Sequence, residues 1–222
     1  MNILKKLDTI LEKYYLNYNN IFEHLDPRLL SAKTKEEINR FNEENQTINF
    51  CNAIQQECAD AVVWYEFPWR INGIKNGNQK ISSNRFDAVV YLTKNKSLLI
   101  IEAKCLRKPS KYDDMHTDLK RICGKGNYSS IQANFPEFND VYAVILADYW
   151  KKKSGDYKNI VSSWNSKNTD KVLVDFTTDV NDYLDDAKWE SSTLERFGEK
   201  YKDYYLLTLI GRLKEMPNYK NK

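Results

Sequence analysis

The chain has no long apolar run, and its mean hydropathy over 222 residues is -0.69. A helix needs about 20 consecutive apolar residues to cross a bilayer, so the sequence predicts no membrane span and no membrane partner. The segment 1–6 also lacks the apolar stretch and small-residue cleavage site of a secretory signal. We therefore expect a cytoplasmic protein.

Cysteine and histidine are scarce, and their spacing does not suit a structural zinc site. The four cysteines form no CxxC pair, and neither histidine lies at zinc-ligand spacing from them. We expect free and mostly buried thiols, as in a reducing compartment. The cysteines in question are Cys51, Cys58, Cys105 and Cys123.

Two further absences narrow the function. The sequence contains no P-loop, no glycine-rich dinucleotide fingerprint and no Gly-x-Ser-x-Gly elbow, so nucleotide triphosphatase and serine hydrolase activities lack support. A strong excess of one charge is also missing, because 34 basic residues face 31 acidic ones and the net charge is +3. This balance permits nucleic-acid binding without indicating it.

What is present is a clear order of hydrophobic patterns. Helical spacing predicts a long first helix over residues 3–25, and a capping box predicts a second helical stretch over 34–41. A third helix is expected over 47–60. The further expected elements are strands over 61–71, 85–92 and 98–105, a loop over 73–83, a helix over 112–122, strands over 140–147 and 171–176, and a helix over 192–216 in which 204–210 could instead be a strand.

This order predicts a mixed α/β fold whose core runs helix, three antiparallel strands, helix, strand. Consecutive strands imply antiparallel hairpins, and a helix between the third and fourth strands permits a crossover connection. We expect residues 46–222 to form the core with C-terminal additions. Residues 1–45 would then be an added N-terminal helical extension, which could serve in homodimer formation or in DNA contact.

The strand that ends in Glu102 and Lys104 carries the informative side chains. The two residues are two apart on a strand, so their side chains point to the same face. If the hairpin turns at residues 94–95, Asp87 lies directly opposite Glu102, and Arg85 lies opposite Lys104. Two facing carboxylates repel unless a cation lies between them or one is protonated. A loop one residue longer or shorter would put Asp87 on the other face.

The pair of carboxylates suits a hard divalent cation. Mg²⁺ typically takes one or two carboxylates and fills its other positions with water and phosphate. Asp87 and Glu102 match that need, and the backbone carbonyl of Ala103 could be a third ligand. The charge of Lys104 would stabilise the transition state at the scissile phosphate or orient the attacking hydroxide. The pattern therefore predicts phosphodiester hydrolysis assisted by Mg²⁺ or Mn²⁺.

An acidic residue early in one strand, followed by an apolar strand ending Glu-x-Lys, resembles the PD-(D/E)XK superfamily of restriction endonucleases and repair nucleases. The superfamily core is a helix, three antiparallel strands, a helix and a strand, as predicted here. The resemblance implies Asp87 as first acid, Glu102 as second acid and Lys104 as the lysine. It also implies a magnesium-dependent nuclease acting on nucleic acid, DNA foremost, in restriction, defence or repair. The sequence departs from the motif at the proline, where Phe86 stands at a tolerant position.

Many members of the superfamily add an acid from the preceding helix or the first strand. Here the candidates are Glu57 on the helix and Glu66 on the strand, and a solvated surface glutamate is the alternative for each. Glu57 would add a catalytic ligand or hold a second metal. Three basic residues near the motif, Arg85, Arg107 and Lys108, could contact phosphates of the nucleic acid, or else be solvated charges.

Two other interpretations of the motif stay open. The chain could be a catalytically inactive nuclease-like module that binds nucleic acid or another subunit, although the complete acidic pair argues against it. Alternatively, Glu102 and Lys104 could form a structural ion pair while Asp87 caps a turn. The orientation of Asp87 relative to Glu102 distinguishes these interpretations from a metal site.

Overall fold

The structure is a computed structural model that describes ten segments of the chain. The segments are residues 3–24, 43–68, 71–75, 78–81, 85–106, 110–124, 137–150, 159–166, 173–193 and 204–214. Beyond a 3₁₀ turn at Ile3–Lys5, the helices are α1 (Leu7–His24), α2 (Glu43–Glu57), α3 (Ser110–Cys123), α4 (Ile160–Ser166) and α5 (Val174–Tyr183). The strands are β1 (Ala61–Pro68), β2 (Ile71–Lys75), β3 (Asn78–Ile81), β4 (Arg85–Leu92), β5 (Ser97–Cys105), β6 (Asp140–Trp150), β7 (Leu184–Thr193) and β8 (Tyr204–Leu213).

Six of the strands form one mixed sheet in the order β1-β4-β5-β6-β8-β7. The pairs β1–β4 and β4–β5 are antiparallel, as predicted for consecutive strands. β5 and β6 are parallel, and α3 lies between them in the chain. β8 and β7 add antiparallel strands beyond β6, and β2–β3 form a separate two-stranded sheet. The predicted mixed α/β class is thus confirmed.

Helices cover both faces of the six-stranded sheet. Side chains from α1 and α2 pack in one hydrophobic cluster with alternate residues of the central strands, and side chains from α3, α4 and α5 pack in another. β5 shows the division, since Leu98 and Ile100 face the second cluster while Leu99 and Ile101 face the first. A strand buried on both faces must be apolar throughout, which explains the unbroken hydrophobic run that leads to Glu102.

The N-terminal helix belongs to the same core as the sheet. The ring of Tyr14 lies 5.4 Å from that of Phe50 in α2 and 5.3 Å from that of Tyr18, both edge-on. All three side chains are fully buried. The predicted boundary at residue 45 falls inside α2, which begins at Glu43, so α1 is a covering layer of the core. The helical stretch expected over 34–41 lies outside the described residues.

Three expectations for secondary structure were wrong. The strand expected over 171–176 is replaced by α5, in which Phe176 and Val180 are buried one turn apart. Within the range 192–216, where a helix was expected, residues 192–193 end β7 and residues 204–213 form β8, so the alternative for 204–210 is correct, while 194–203 and 215–216 lie outside the described residues. β8 is buried along nearly its whole length, and a fully buried strand has no alternation to distinguish it from a helix. The loop expected over 73–83 contains strands of the β2–β3 hairpin.

Within the described segments, no helix has the length and apolar character required to cross a membrane.

Gly211 in β8 lies close against Leu184 and Ala187 of the neighbouring strand β7. We expect Gly211→Ala to lower the free energy of unfolding by about 1–3 kcal/mol. A Cβ atom at this position would lie 2.9 Å from both Cβ and Cδ1 of Leu184 and 3.3 Å from Cα of Ala187. Urea denaturation measures the loss. In a Leu184→Ala background, which lacks the Cδ1 atom, the same change should cost less. An equal cost in both backgrounds would contradict the steric explanation.

Candidate metal centre

The β4–β5 hairpin has the register that the sequence predicts. Leu92 pairs with Ser97, and the ladder runs to Ala88 opposite Ile101. The four residues 93–96 form the turn, in which Lys96 has a φ of 52°. The observed four-residue loop and the predicted two-residue loop both place Leu92 opposite Ser97, so the register is the same. Asp87 therefore lies opposite Glu102, one position beyond the last paired residues.

Asp87 is bonded to β5 through its side chain. Its Oδ2 atom accepts a hydrogen bond of 2.7 Å from the backbone N–H of Ala103. The regular alternation of β4 also ends here, because Phe86 and Val89 share one hydrophobic cluster while Ala88 lies in the other. Asp87 therefore lies where β4 and β5 cease to pair. Its carboxylate takes the place of a backbone carbonyl as the acceptor for the N–H of Ala103, which lies between Glu102 and Lys104.

Glu102 is almost wholly buried, with an exposed fraction of 1%. Its Oε1 atom forms an ion pair with Nη2 of Arg121, which projects from α3. The same guanidinium lies 2.9 Å from Oδ1 of Asp118 and 5.7 Å from the ring centroid of Phe86. The carboxylate of Glu102 thus faces α3, and its neutralising charge comes from that helix.

Lys104 forms its ion pairs with Asp118 and Glu43, and not with Glu102, its neighbour in the motif. Its Nζ atom lies 2.7 Å from Oδ2 of Asp118 and 3.9 Å from Oε2 of Glu43 at the start of α2. On the opposite face of the sheet, the fully buried Gln46 donates from Nε2 to the carbonyl of Lys104 at 3.2 Å. Glu102 and Lys104 therefore have separate partners, and in place of the alternative in which they pair with each other, each forms an ion pair with α3.

The acid that α2 brings to the site is Glu43, and this corrects the expectation for Glu57. Glu57 lies 14 residues later on the same helix, about 21 Å away at 1.5 Å per residue. It forms an ion pair with Lys13 of α1. Glu43 instead contacts Lys104, lies 3.8 Å from Lys111 and accepts from the backbone N–H of Cys105 at 3.2 Å. The sequence signal for it is the acidic pair Glu43–Glu44 in the first turn of α2.

The other predicted residues contribute less to this cluster. Arg85 donates from Nη1 to the carbonyl of Glu66 at 2.9 Å, and the side chain of Glu66 is exposed in a residue with a φ of 52°. Arg107 and Lys108 lie outside the described residues. Asp118 and Arg121, which the sequence analysis did not single out, carry the contacts from α3.

The described residues around the motif, which we call the ion cluster, hold more negative than positive charge. Five carboxylates (Glu43, Asp87, Glu102, Asp114 and Asp118) face three cations (Lys104, Lys111 and Arg121), so the net charge is -2 when all are ionised.

The pKa values of the cluster reflect this shortage of positive charge. Burial raises the pKa of Glu102, and the neighbouring charges of Asp118 and Asp87 raise it further against the opposing effects of Arg121 and Lys104. Burial also raises the pKa of Asp87, although the N–H of Ala103 and the charge of Lys104 oppose it. Burial disfavours the charged form of Lys104, but Asp118 outweighs it and the pKa of the lysine is raised. The cluster favours an added cation, whether a proton or a metal ion.

The donor set fits a magnesium-type ion. Among the described residues, no group of three or more acidic, histidine or cysteine side chains is arranged to hold a metal. Mg²⁺ does not require one, because two carboxylates with a carbonyl, water and phosphate suffice. Asp87 and Glu102 would supply the two carboxylates, and the backbone carbonyl of Ala103 would be the third ligand.

Comparisons with known proteins give no additional support, since no protein-family model, curated protein or solved structure matches the chain. The resemblance to the PD-(D/E)XK superfamily therefore rests on the residues of the motif and on the order of the elements around it.

The raised carboxylate pKa values predict a pH dependence of stability. A carboxyl group that holds its proton more tightly in the folded state stabilises the protein below its unfolded pKa, and this stability is lost as pH rises through the folded pKa. We expect the contribution of Glu102 to the free energy of unfolding, measured with urea in EDTA, to fall as pH rises above the ordinary glutamate value of 4.5. Glu102→Gln should flatten this fall. Glu57→Gln is the control, because Lys13 lowers the pKa of Glu57 and reverses the sign. Parallel profiles for wild type and Glu102→Gln would contradict the assignment.

Proposed function

We propose that this protein is a metal-dependent nuclease that hydrolyses phosphodiester bonds in nucleic acid, with DNA as its foremost substrate. The observation that carries the proposal is the convergence of Asp87, Glu102 and Lys104 at one end of the β4–β5 hairpin, in a cluster short of positive charge. Buried carboxylates so placed are suited to a hard cation and a phosphate.

The order of the elements supports a restriction endonuclease-like core. α2, β1, β4, β5, α3 and β6 follow one another as a helix, three antiparallel strands, a helix and a parallel strand. The β2–β3 hairpin lies between the first and second strands of this core, and β7 and β8 extend the sheet beyond the last. This is the arrangement that the superfamily resemblance implies, with the motif on the second and third strands.

The residues of the ion cluster have distinct parts in the proposed reaction. Mg²⁺ or Mn²⁺ bound by Asp87, Glu102 and the carbonyl of Ala103 would supply a Lewis acid for a phosphate oxygen. Lys104, whose pKa is raised, keeps its positive charge and stabilises the negative charge that develops on the phosphate. Asp118 positions Lys104 through the 2.7 Å ion pair.

A second candidate function is a nucleic-acid-binding or interaction module without catalysis. The observation that favours it is that the cluster is already paired within itself, since Glu102 contacts Arg121, Lys104 contacts Asp118, and Asp87 accepts from Ala103. Such pairing is also what a purely structural cluster requires. Calorimetric titration with Mn²⁺ distinguishes the two functions, because carboxylate-dependent binding supports the nuclease.

We expect the purified protein to cleave DNA with Mg²⁺ or Mn²⁺, and Glu102→Gln to reduce the rate by about 100-fold or more. The amide keeps the size of the side chain but removes the charge that the cation needs. Plasmid DNA, linear DNA and RNA are incubated with metal or with EDTA, and circular dichroism checks that the variant is folded. Equal cleavage by wild type and a folded Glu102→Gln variant would reject the proposed site.

The placement of Glu43 gives a matched pair of variants on one helix. Glu43→Gln removes a charge beside Lys104 and should lower the cleavage rate about 10- to 100-fold, as for other residues that orient a catalytic group. The identical substitution at Glu57, at the far end of α2, should leave the rate within about threefold of wild type. The assignment of Glu43 fails if the two variants lose activity equally.

A further inference from the structure

The positive charge closest to Glu102 comes from a helix and not from the catalytic strand. Arg121 is 19% exposed in its side chain and reaches from the last turn of α3 to Oε1 of Glu102. A carboxylate with 1% exposure cannot be neutralised by solvent ions, so a charged partner must accompany it into the core. In the structure, this partner is the guanidinium of Arg121.

Arg121 keeps a charged anchor if it departs from Glu102. Asp118 lies three residues earlier on the same helix, and its Oδ1 atom is 2.9 Å from Nη2 of Arg121. A guanidinium has five donors in a planar fork, so it can keep Asp118 while it turns toward another anion.

The charge of the cluster changes in a definite way when a divalent ion is added. The described cluster has a net charge of -2, so a divalent ion brings it to zero. A divalent ion on Glu102 also repels the guanidinium that holds the same oxygen. Arg121 is then the cation that is displaced, because Lys104 is paired with Asp118 and Glu43 and does not hold Glu102.

We propose that Arg121 is an internal placeholder for the metal. Its guanidinium contacts the same oxygen of Glu102 that the divalent cation binds. This inference rests on the proposed nuclease function and adds a regulation of its site. Metal entry displaces Arg121 from Glu102. The freed guanidinium then binds a phosphodiester, because its planar pair of donors matches two phosphate oxygens. Metal and nucleic acid therefore favour each other's binding, by the reciprocity of linked equilibria.

The test is a calorimetric titration of metal-free protein with Mn²⁺ alone. We expect Arg121→Gln to bind Mn²⁺ at least about tenfold more tightly than wild type, because the competing ion pair is gone. Lys111→Gln is the matched control. It removes one positive charge from the same cluster, but Lys111 contacts Glu43 and Asp114 and does not hold Glu102. Its Mn²⁺ affinity should change by less than about threefold.

Similar gains in both variants would mean that only the overall charge matters, and no gain in Arg121→Gln would mean that the arginine does not compete. Either result overturns the proposal. The gain should vanish in the double variant Arg121→Gln/Glu102→Gln. If Arg121→Gln does not fold, wild-type crystals soaked in Mn²⁺ decide the matter. Mn²⁺ on Glu102 with Arg121 turned away supports the proposal, and Mn²⁺ on Glu102 with the ion pair intact overturns it.

The two proposals fail separately. If wild type cleaves DNA with Mg²⁺ but Arg121→Gln binds Mn²⁺ no more tightly, the placeholder is rejected and the nuclease stands. If Arg121→Gln binds Mn²⁺ more tightly but neither protein cleaves nucleic acid, the placeholder stands and the nuclease is rejected.

Discussion

The burial of one carboxylate, that of Glu102, sets the arrangement of the elements around the hairpin. β5 is covered on both faces and paired on both edges, so a charge at its end has almost no access to water. Such a charge is tolerated only with partners brought by neighbouring elements. α3 supplies Arg121 and Asp118, Asp118 in turn holds Lys104, and Lys104 reaches Glu43 on α2. One buried acid therefore connects the sheet to a helix on each face.

The end of the β4–β5 ladder explains why the first acid lies so near the second. A backbone N–H left without a strand partner inside a protein needs another acceptor. Asp87 provides it for Ala103, and the same hydrogen bond fixes its carboxylate beside the peptide between Glu102 and Lys104. The acid early in one strand and the Glu-x-Lys end of the next are thus related by local backbone chemistry as well as by register.

The sequence was a good guide where a feature depends on residues close together in the chain. The hairpin register follows from alternation and loop length, and it placed Asp87 opposite Glu102 as predicted. Arg121 and Asp118 could not be found this way, because their reach to β5 depends on the rotation of α3, which distant packing sets. The wrong choice of Glu57 has a different origin, because the start of α2 was expected four residues too late and Glu43 was left outside the helix. β8 was ambiguous because complete burial removes the periodic signal.

The burial that would make Glu102 a strong ligand for the proposed metal also makes its charge costly without a cation. A fixed counterion would stabilise the fold but close the site, whereas an absent one would leave the carboxylate to take up a proton. Arg121 neutralises Glu102 without closing the site, because its contact with Asp118 keeps the guanidinium attached when it leaves Glu102. Exchange of one cation for another then costs less than the removal of a cation into water. The ion cluster can therefore be stable when empty of metal and still open to metal when a phosphate is present to receive the arginine.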